Sequence, residues 1–435
     1  MKMRASALEI SLDGTLVGHL VSQQSGANVF AFADSYIALG AERPVLSLSF
    51  EGPTPEASAE LLTAIYATNV RVPTFFSNLL PEGPLREYVA ANLKIHKDDE
   101  FRILAALGSD LPGAVVATPV EQVSSRLSQD RKGRSIEIHK QAPLAFSLGG
   151  SQLKFSMFLS NDKFGFGAKG AEYIVKPPHP HFDDVPANEY HSMLLARAAG
   201  LNVPEVRLLP LENLDLENAP PLKFRTDERY AYAIKRFDRA PGNARIHIED
   251  FAQVFGVYAH DEYTATNYDQ MLRVLRLLPG GGDAVREMVG RLVVNALLGN
   301  GDAHLKNTSL IYRDGQTPTL APLYDVLITQ PYMRRRETAA LNISRVKSFQ
   351  KYDLDLFRRL AKRADLDEKS VLDAVRTTID LAASTWPALI AESEMPESLR
   401  TSLEEHWKTL RSPFSSLSLK PRRRIPATAP KAKAR

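Results

Sequence analysis

Along the first third of the chain, apolar and polar positions alternate in short runs. Leu8, Ile10 and Leu12 are separated by polar residues, Asp13-Gly14 supplies a turn, and Leu16 to Leu20 returns, so residues 7 to 20 read as a β-hairpin. Val45 to Phe50 and Val115 to Val120 read as further strands, and two helical stretches fall near Ala57 to Tyr66 and Leu85 to Leu93. Pro84 sits where a first helical turn tolerates it. A charged link, Gln129 to Ser135, marks a first boundary. Strand patterns resume at Leu153 to Leu159, at Glu172 to Val175 (ended by Pro177-Pro178) and at Tyr230 to Ile234. Between the last two, Ala187 to Ala199 is a helix closed by Gly200.

After Asp238 the period changes from two to 3.6. With Asp283 as the N-cap, Val285, Met288, Val289, Leu292, Val293, Ala296 and Leu297 recur at spacings of three and four, the mark of a long half-buried helix. Asp355 to Arg363, Asp367 to Ser384 and Glu397 to Leu410 continue in the same way. The order is thus a β-rich unit, a second β-rich unit with one helix, and a helical unit, without internal repeats. Placed on the chain, these are residues 1–125, 126–237 and 238–414, followed by a tail, 415–435. A length of 435 residues accommodates such a division.

Composition changes this picture little. With 44% apolar and 24% charged residues the chain is neither disordered, collagenous nor membrane-embedded as a whole. Without cysteine it has no disulfide, thiolate metal site or cysteine nucleophile. Glu9 and Asp13 interrupt any apolar signal core, and no run reaches the ~18 apolar residues of a membrane span. Cytoplasmic residence without membrane association is therefore expected. Charge is more informative by position than by sum. The net +3 includes seven Lys or Arg and no acid within residues 415–435; removing those seven leaves −4 for the rest. That basic Pro/Ala segment has the composition of a disordered tail.

Candidate chemistry centres on Leu298-Gly-Asn-Gly-Asp302-Ala-His304-Leu-Lys306-Asn307. Asp302 and Asn307 stand in the D-x-x-x-x-N spacing that protein kinases use, the Asp for the attacking hydroxyl and the Asn for a magnesium ion. Polar loops rich in Gly, Asn and Asp share that spacing. Downstream, Pro322-Leu323-Tyr324-Asp325 follows a turn at Asp314-Gly315 and brings a second acid, suited to Mg²⁺. Upstream, Lys176 ends an apolar strand, within reach of phosphates, and Glu189 opens the next helix, the kinase arrangement for fixing that lysine. Before them, Ser147-Leu148-Gly149-Gly150-Ser151-Gln152-Leu153-Lys154 is a Gly-rich turn, though not a Walker A loop. Each feature alone also fits a turn, a cap or a surface charge. Together they occur in kinase order over about 180 residues.

At this point the chain resembles the HipA-type serine/threonine kinases, toxins of bacterial toxin–antitoxin pairs, over about residues 5 to 412. The likeness rests on Phe75 to Gly83, Gly108 to Ala114, Ser147 to Lys154, Ile174 to Pro177, Asn188-Glu189-Tyr190, Lys235 to Arg239, Asp302 to Asn307 and Pro322 to Asp325. It implies an α+β, bilobal protein-kinase-like fold. A β-rich N-terminal subdomain would pack on a small lobe, followed by an all-helical C-lobe, with ATP and Mg²⁺ as cofactors. By motif match, Asp302 is the catalytic residue and Asn307 and Asp325 are the metal ligands. Lys176 contacts phosphates, Gly149, Gly150, Ser151, Gln152, Leu153 and Lys154 form the phosphate loop, and Lys235, Arg236 and Phe237 line the adenine side. His304 and Tyr324 lie against the nucleotide. Ser147 matches a serine whose autophosphorylation silences such kinases. The implied partners are a small helix-turn-helix antitoxin, DNA indirectly through it, and a protein substrate such as an aminoacyl-tRNA synthetase. This chain departs from the family at Asn300-Gly301, Ile248 and Lys235.

Two other functions compete with that expectation: a weakly active or inactive kinase-like co-repressor, and a kinase acting on small molecules or lipids. Three further features stand outside the set. Arg334-Arg335-Arg336 reads as a solvated basic loop or as an attractor of acidic substrate. Gly280-Gly281-Gly282 reads as a helix connection, and His179 and His181 read as surface residues.

Overall fold

The computed structural model describes residues 2–5, 7–23, 25–121, 136–139, 153–160, 163–166, 171–215, 225, 227–332 and 338–419. The Gln129 to Ser135 link, the 147–152 part of the Gly-rich turn, Arg334 to Arg336 and the basic run from Lys420 lie outside them. Among the described residues, no helix is long and apolar enough to cross a membrane.

The first hairpin forms as expected. Ala7–Leu12 pairs with Thr15–Ser22, and Asp13 (φ 48°) and Gly14 (φ 78°) both take the positive φ of a type I′ turn. Ala27–Phe32, Tyr66–Asn69 and Val115–Val120 extend this pair into a five-stranded antiparallel sheet. One sheet face buries Phe30 and Phe32 against Phe76 and Phe50, with edge-on rings 4.8 Å and 5.1 Å apart. The helices Pro55–Thr63, Gly83–Leu93 and Glu100–Leu107 complete the subdomain, Pro84 lying in the first turn of the second.

A second antiparallel sheet has the order Val206–Pro210, Tyr230–Lys235, Tyr173–Lys176, Phe155–Ser160, Lys163–Phe166. The helix Val185–Ala198 packs across it, its buried face including Asn188, Glu189, Met193 and Ala196. The third part is built on Gly281–Leu298, which lies against Glu368–Glu392 and Tyr268–Leu277. Trp386 and Trp407 fill its core, and their indole N–H groups donate to the carbonyls of Leu195 and Leu297 at 2.9 Å and 2.8 Å.

Three details differ from the sequence reading. Val45 to Phe50 is not a strand. Leu48–Phe50 is a 3₁₀ turn, because the Ser47 hydroxyl and the Leu48 N–H are both drawn onto Glu249. Asp283 is not the N-cap; it lies in the first turn of a helix capped by Gly280, whose φ of 70° begins that helix three residues earlier. The C-lobe carries strands as well as helices: His247–Asp250, Ser309–Tyr312 and Pro318–Leu320 form a small sheet around the 300–307 loop, with a second hairpin at Thr338–Ile343 and Val346–Ser348.

The N-terminal subdomain is bonded to the other two parts. Glu249, 0% exposed, accepts from Ser47 Oγ (2.5 Å), from Leu48 N (3.0 Å) and from the Tyr312 hydroxyl. Burial pushes its carboxyl up to about 7, against these hydrogen bonds. Beside it, a ring nitrogen of His247 bonds the Leu46 carbonyl at 2.8 Å, and burial pushes that imidazole down to about 4. Gly113 (φ +69°) completes the contact, because a Cβ there would lie 2.8 Å from the Ile248 nitrogen.

Candidate active site

The long helix Gly281–Leu298 ends at Gly299 in the left-handed conformation (φ 68°), which turns the chain into the 300–307 loop. Asn300 is fully buried. Its Nδ2 donates to Asn295 Oδ1 (3.0 Å) and its Oδ1 accepts the Asp302 amide (3.1 Å). Thr329 Oγ1 accepts the Gly301 amide (2.8 Å) and donates to the Gly299 carbonyl (2.9 Å). Asn307 Nδ2 donates to the Asp302 carbonyl at 2.8 Å. The backbone under Asp302 is therefore held from three sides before any substrate is considered.

Lys176, 4% exposed, ends its strand facing the first turns of Val185–Ala198. Its ammonium donates to both oxygens of Glu189 at 2.8 Å and also to Asp325 Oδ1. Burial disfavours its charge, but Asp325 and Glu189 outweigh that and hold it well above the usual lysine range. The Asp325 carboxyl is likewise kept well below its usual range despite burial, first by Lys176 and then by Lys154. Burial, opposed by Lys176, pushes Glu189 up to about 7. Asp325 itself has φ +59°, a strained conformation that aspartate tolerates better than most residues. The following segment is clamped to the helix by Asn188, which accepts the Ile328 amide (2.9 Å) and donates to the Ile328 carbonyl (2.8 Å).

Asp302 carries a carboxyl that burial pushes up to about 6, opposed by a hydrogen bond from the Tyr263 hydroxyl. Behind it, burial pushes His304 down to about 4, so the ring is neutral at pH 7. Its Nδ1 accepts the Lys306 amide at 3.3 Å, which leaves the proton on Nε2. Glu262 lies 3.4 Å from that Nδ1, and burial followed by the charge of Glu82 pushes it up to about 8, so the two form a neutral pair rather than an ion pair. Lys306 points the other way. Its buried ammonium donates to the carbonyl and side-chain oxygens of Asn78 (3.0 Å and 3.1 Å) and is within 3.5 Å of Glu82 and Asp250. The N-terminal subdomain thus reaches the catalytic-loop candidate directly.

These groups surround one cavity of about 520 Å³. Lys154, Lys176, Glu189, Asp302, His304, Asn307, Tyr324 and Asp325 all line it. Lys235, Arg236 and Phe237 line another part, but with different involvement. Phe237 faces Tyr324 with ring centroids 5.7 Å apart. The half-exposed Lys235 ammonium is 3.9 Å from Glu205. The Arg236 guanidinium is held by Asp238 (2.9 Å and 2.7 Å) and Ser156 (3.0 Å), which makes it part of the joint with Asp110 and Gly113. Leu153 packs with the core of the small-lobe sheet and is not on the cavity wall. The Tyr324 hydroxyl donates to the Lys306 carbonyl at 2.7 Å and braces the loop. His179 and His181, expected at the surface, also stand on the rim. The sequence reading missed Tyr263, Glu262, Thr329 and the Asn78–Lys306 contact. Asn78 and Lys306 lie within motifs already noted, but no spacing announces their meeting across 228 residues.

The donor set fits a hard divalent cation. Asp325 is an ionised carboxylate, and Asn307, whose Nδ2 is engaged by the Asp302 carbonyl, has its amide oxygen left for a ligand.

A bilobal α+β chain with a lysine–glutamate pair in the small lobe and an Asp/Asn loop below it has a protein-kinase-like fold. Family models resolve this further: a HipA N-terminal domain matches residues 8–118 and a HipA-like C-terminal domain matches residues 146–386. The chain belongs to the HipA family. It is 41% identical over 413 residues to the candidate kinase Y4dM of Sinorhizobium fredii, covering 94% of this chain and 98% of that one. It is 26% identical over 312 residues to the serine/threonine-protein kinase toxin HipA of Shewanella oneidensis, covering 63% and 67%. The solved complex of Shewanella oneidensis HipA, HipB and operator DNA superposes with a TM-score of 0.68 at 19% identity over 92% of this chain and 95% of that one, which supports the shared fold.

Proposed function

We propose that this chain is an ATP- and Mg²⁺-dependent serine/threonine protein kinase acting as a toxin. The observation that carries the proposal is the convergence of Lys176, Asp302, Asn307 and Asp325, drawn from both lobes, on one cavity wall. Asn307 and Asp325 would hold Mg²⁺, which when bound offsets the charge of the β- and γ-phosphates. Lys176, kept ionised, supplies a fixed positive charge to the phosphates, and Lys154, which burial pushes below the usual lysine range, adds a further donor after the Gly-rich turn. Asp302, mostly ionised at pH 7 with a carboxyl near 6, accepts the proton of the attacking serine or threonine hydroxyl. Glu189 holds Lys176 in register with the helix and does not touch the substrate.

The same proposal assigns Ser147 as an inactivating autophosphorylation site, since a dianion beside a triphosphate repels it. It places the adenine near Phe237 and Tyr324 and keeps the division at residues 1–125, 126–237 and 238–414. It takes a helix-turn-helix antitoxin as partner, with DNA contacted through it, in line with the HipB and operator DNA seen with the Shewanella oneidensis relative. A translation component such as an aminoacyl-tRNA synthetase is the proposed substrate. Incubation with labelled ATP and Mg²⁺, with the label mapped by mass spectrometry, tests this. Label is expected on Ser147 and on a cellular protein, and Asp302→Ala should abolish both. If no phosphate appears anywhere and Asp302→Ala behaves as wild type in cells, the proposal fails.

A further inference from the structure

Asn300 and Asn307 hold the backbone of Asp302, and neither bonds its carboxylate. Yet among the described residues one side chain does hydrogen-bond that carboxylate: the Tyr263 hydroxyl, on Oδ1. Tyr263 lies outside regular secondary structure, just after the Ala259–Asp261 turn, and is 36% exposed. Its ring rests on His304, with centroids 4.9 Å apart. A hydroxyl donating to the general base is the contact that an acceptor serine or threonine makes before transfer.

We propose that Tyr263 is an acceptor-site gate. Its phenol takes the place of the substrate hydroxyl on Asp302, keeps water off that carboxylate, and is displaced by the protein acceptor. This rests on the kinase reading and adds a specificity-determining residue to it. Water that reached Asp302 beside bound ATP would be activated in the same way as a substrate. It would form a bond to the γ-phosphorus as the bond to ADP breaks, with its proton passing to Asp302, and ATP would be hydrolysed without purpose. A tyrosine hydrogen-bonded there, with its own proton held by burial and by the Asp302 charge, blocks that route. An acceptor polypeptide regains the contact with its own hydroxyl, whereas water must also compete with the ring on His304.

The test is Tyr263→Phe in the full chain, with ATP hydrolysis measured without acceptor and with acceptor KM and kcat measured separately. Removing the hydroxyl should raise acceptor-free hydrolysis by about tenfold, the scale of one charge-assisted hydrogen bond. It should also lower acceptor KM and leave kcat at least unchanged. Unchanged hydrolysis with unchanged KM overturns the gate. So does a lower kcat with both of these unchanged, which would make Tyr263 a support for Asp302. An independent readout uses no ATP: nitration of Tyr263 by tetranitromethane, which requires the phenolate, should rise several-fold in Asp302→Ala, and an equal rate in both proteins removes the contact on which the gate depends. If the wild type transfers no phosphate, the kinase reading falls and the gate with it; the nitration pattern then shows whether the contact itself was present.

Discussion

Two buried glutamates divide the work of holding this molecule together. Glu189 and Glu249 are both 0% exposed, and burial pushes both up to about 7; Glu249 bonds the N-terminal subdomain directly, whereas Glu189 holds Lys176 of its own lobe, which in turn reaches Asp325. Their partners differ in kind. Glu249 is satisfied by a serine hydroxyl, a tyrosine hydroxyl and a backbone amide, all neutral. Glu189 is satisfied by an ammonium that it shares with Asp325. A neutral set of donors makes a permanent joint, because nothing that binds in the cavity competes for it. A shared charge makes an adjustable one, because phosphates or a cation arriving beside Lys176 and Asp325 redistribute the same ions. The subdomain joint is therefore built for permanence and the cavity joint for exchange.

The sharpest way to break this contrast is Lys176→Met. It leaves the buried Glu189 without its ion-pair partner and takes from Asp325 the first of its two neighbouring cations, and a loss of about 3 kcal/mol is expected in denaturant unfolding. Phosphoryl transfer should vanish with it. If stability drops while nucleotide affinity survives, the cavity joint is as permanent as the other one. Asp302→Ala should separate chemistry from architecture: transfer falls about 10³-fold or more while the melting temperature holds. Asn188→Ala strips both backbone groups of Ile328 of their side-chain partner and should cost about 2 kcal/mol, measured by thermal unfolding.

Glu249→Gln tests the neutral joint by pH. A carboxyl raised in the folded state stabilises the fold fully below its unfolded value near 4.5, and that contribution is lost as pH rises toward about 7. The variant should therefore gain on wild type across that window, by up to about 3 kcal/mol. His247 works in the opposite sense, stabilising above its ordinary 6.5 and losing that as pH falls through about 4, but it is common to both proteins and drops out of the difference. A flat difference between the two proteins would mean that Glu249 is already ionised in the fold.

The parts legible in the sequence are those decided locally. Asp13-Gly14 between alternating apolar runs fixed the first hairpin, and the 3.6 period from Val285 to Leu297 fixed the central helix. Lys176 and Glu189 were legible because a strand end and the next helix lie thirteen residues apart. Asp302 and Asn307 sit in one short loop. The remainder was settled at long range. Val45 to Phe50 alternates like a strand, but Glu249, 202 residues later, takes the Ser47 hydroxyl and the neighbouring Leu48 N–H and winds the segment into a turn. Asp283 looks like a cap because its preceding glycines carry no periodic signal, yet backbone freedom at Gly280 starts the helix. Tyr263 lies in a run of small and polar residues that signals nothing until the fold places it on Asp302.

The bond between Lys306 and Asn78 has a consequence for the making of the chain. Synthesis proceeds from the N-terminus, so Asn78 leaves the ribosome 228 residues before its partner, on the order of ten seconds or more at ordinary elongation rates. Ser47 waits almost as long for Glu249. During that interval the first sheet is made but its docking face has nothing to meet, and contacts of such sequence separation close late in folding. The loop bearing Asp302 gains its Asn78 contact only when this earlier-made subdomain docks against it. A nascent chain in which Lys306 has yet to emerge thus lacks both this joint and the loop that the joint braces.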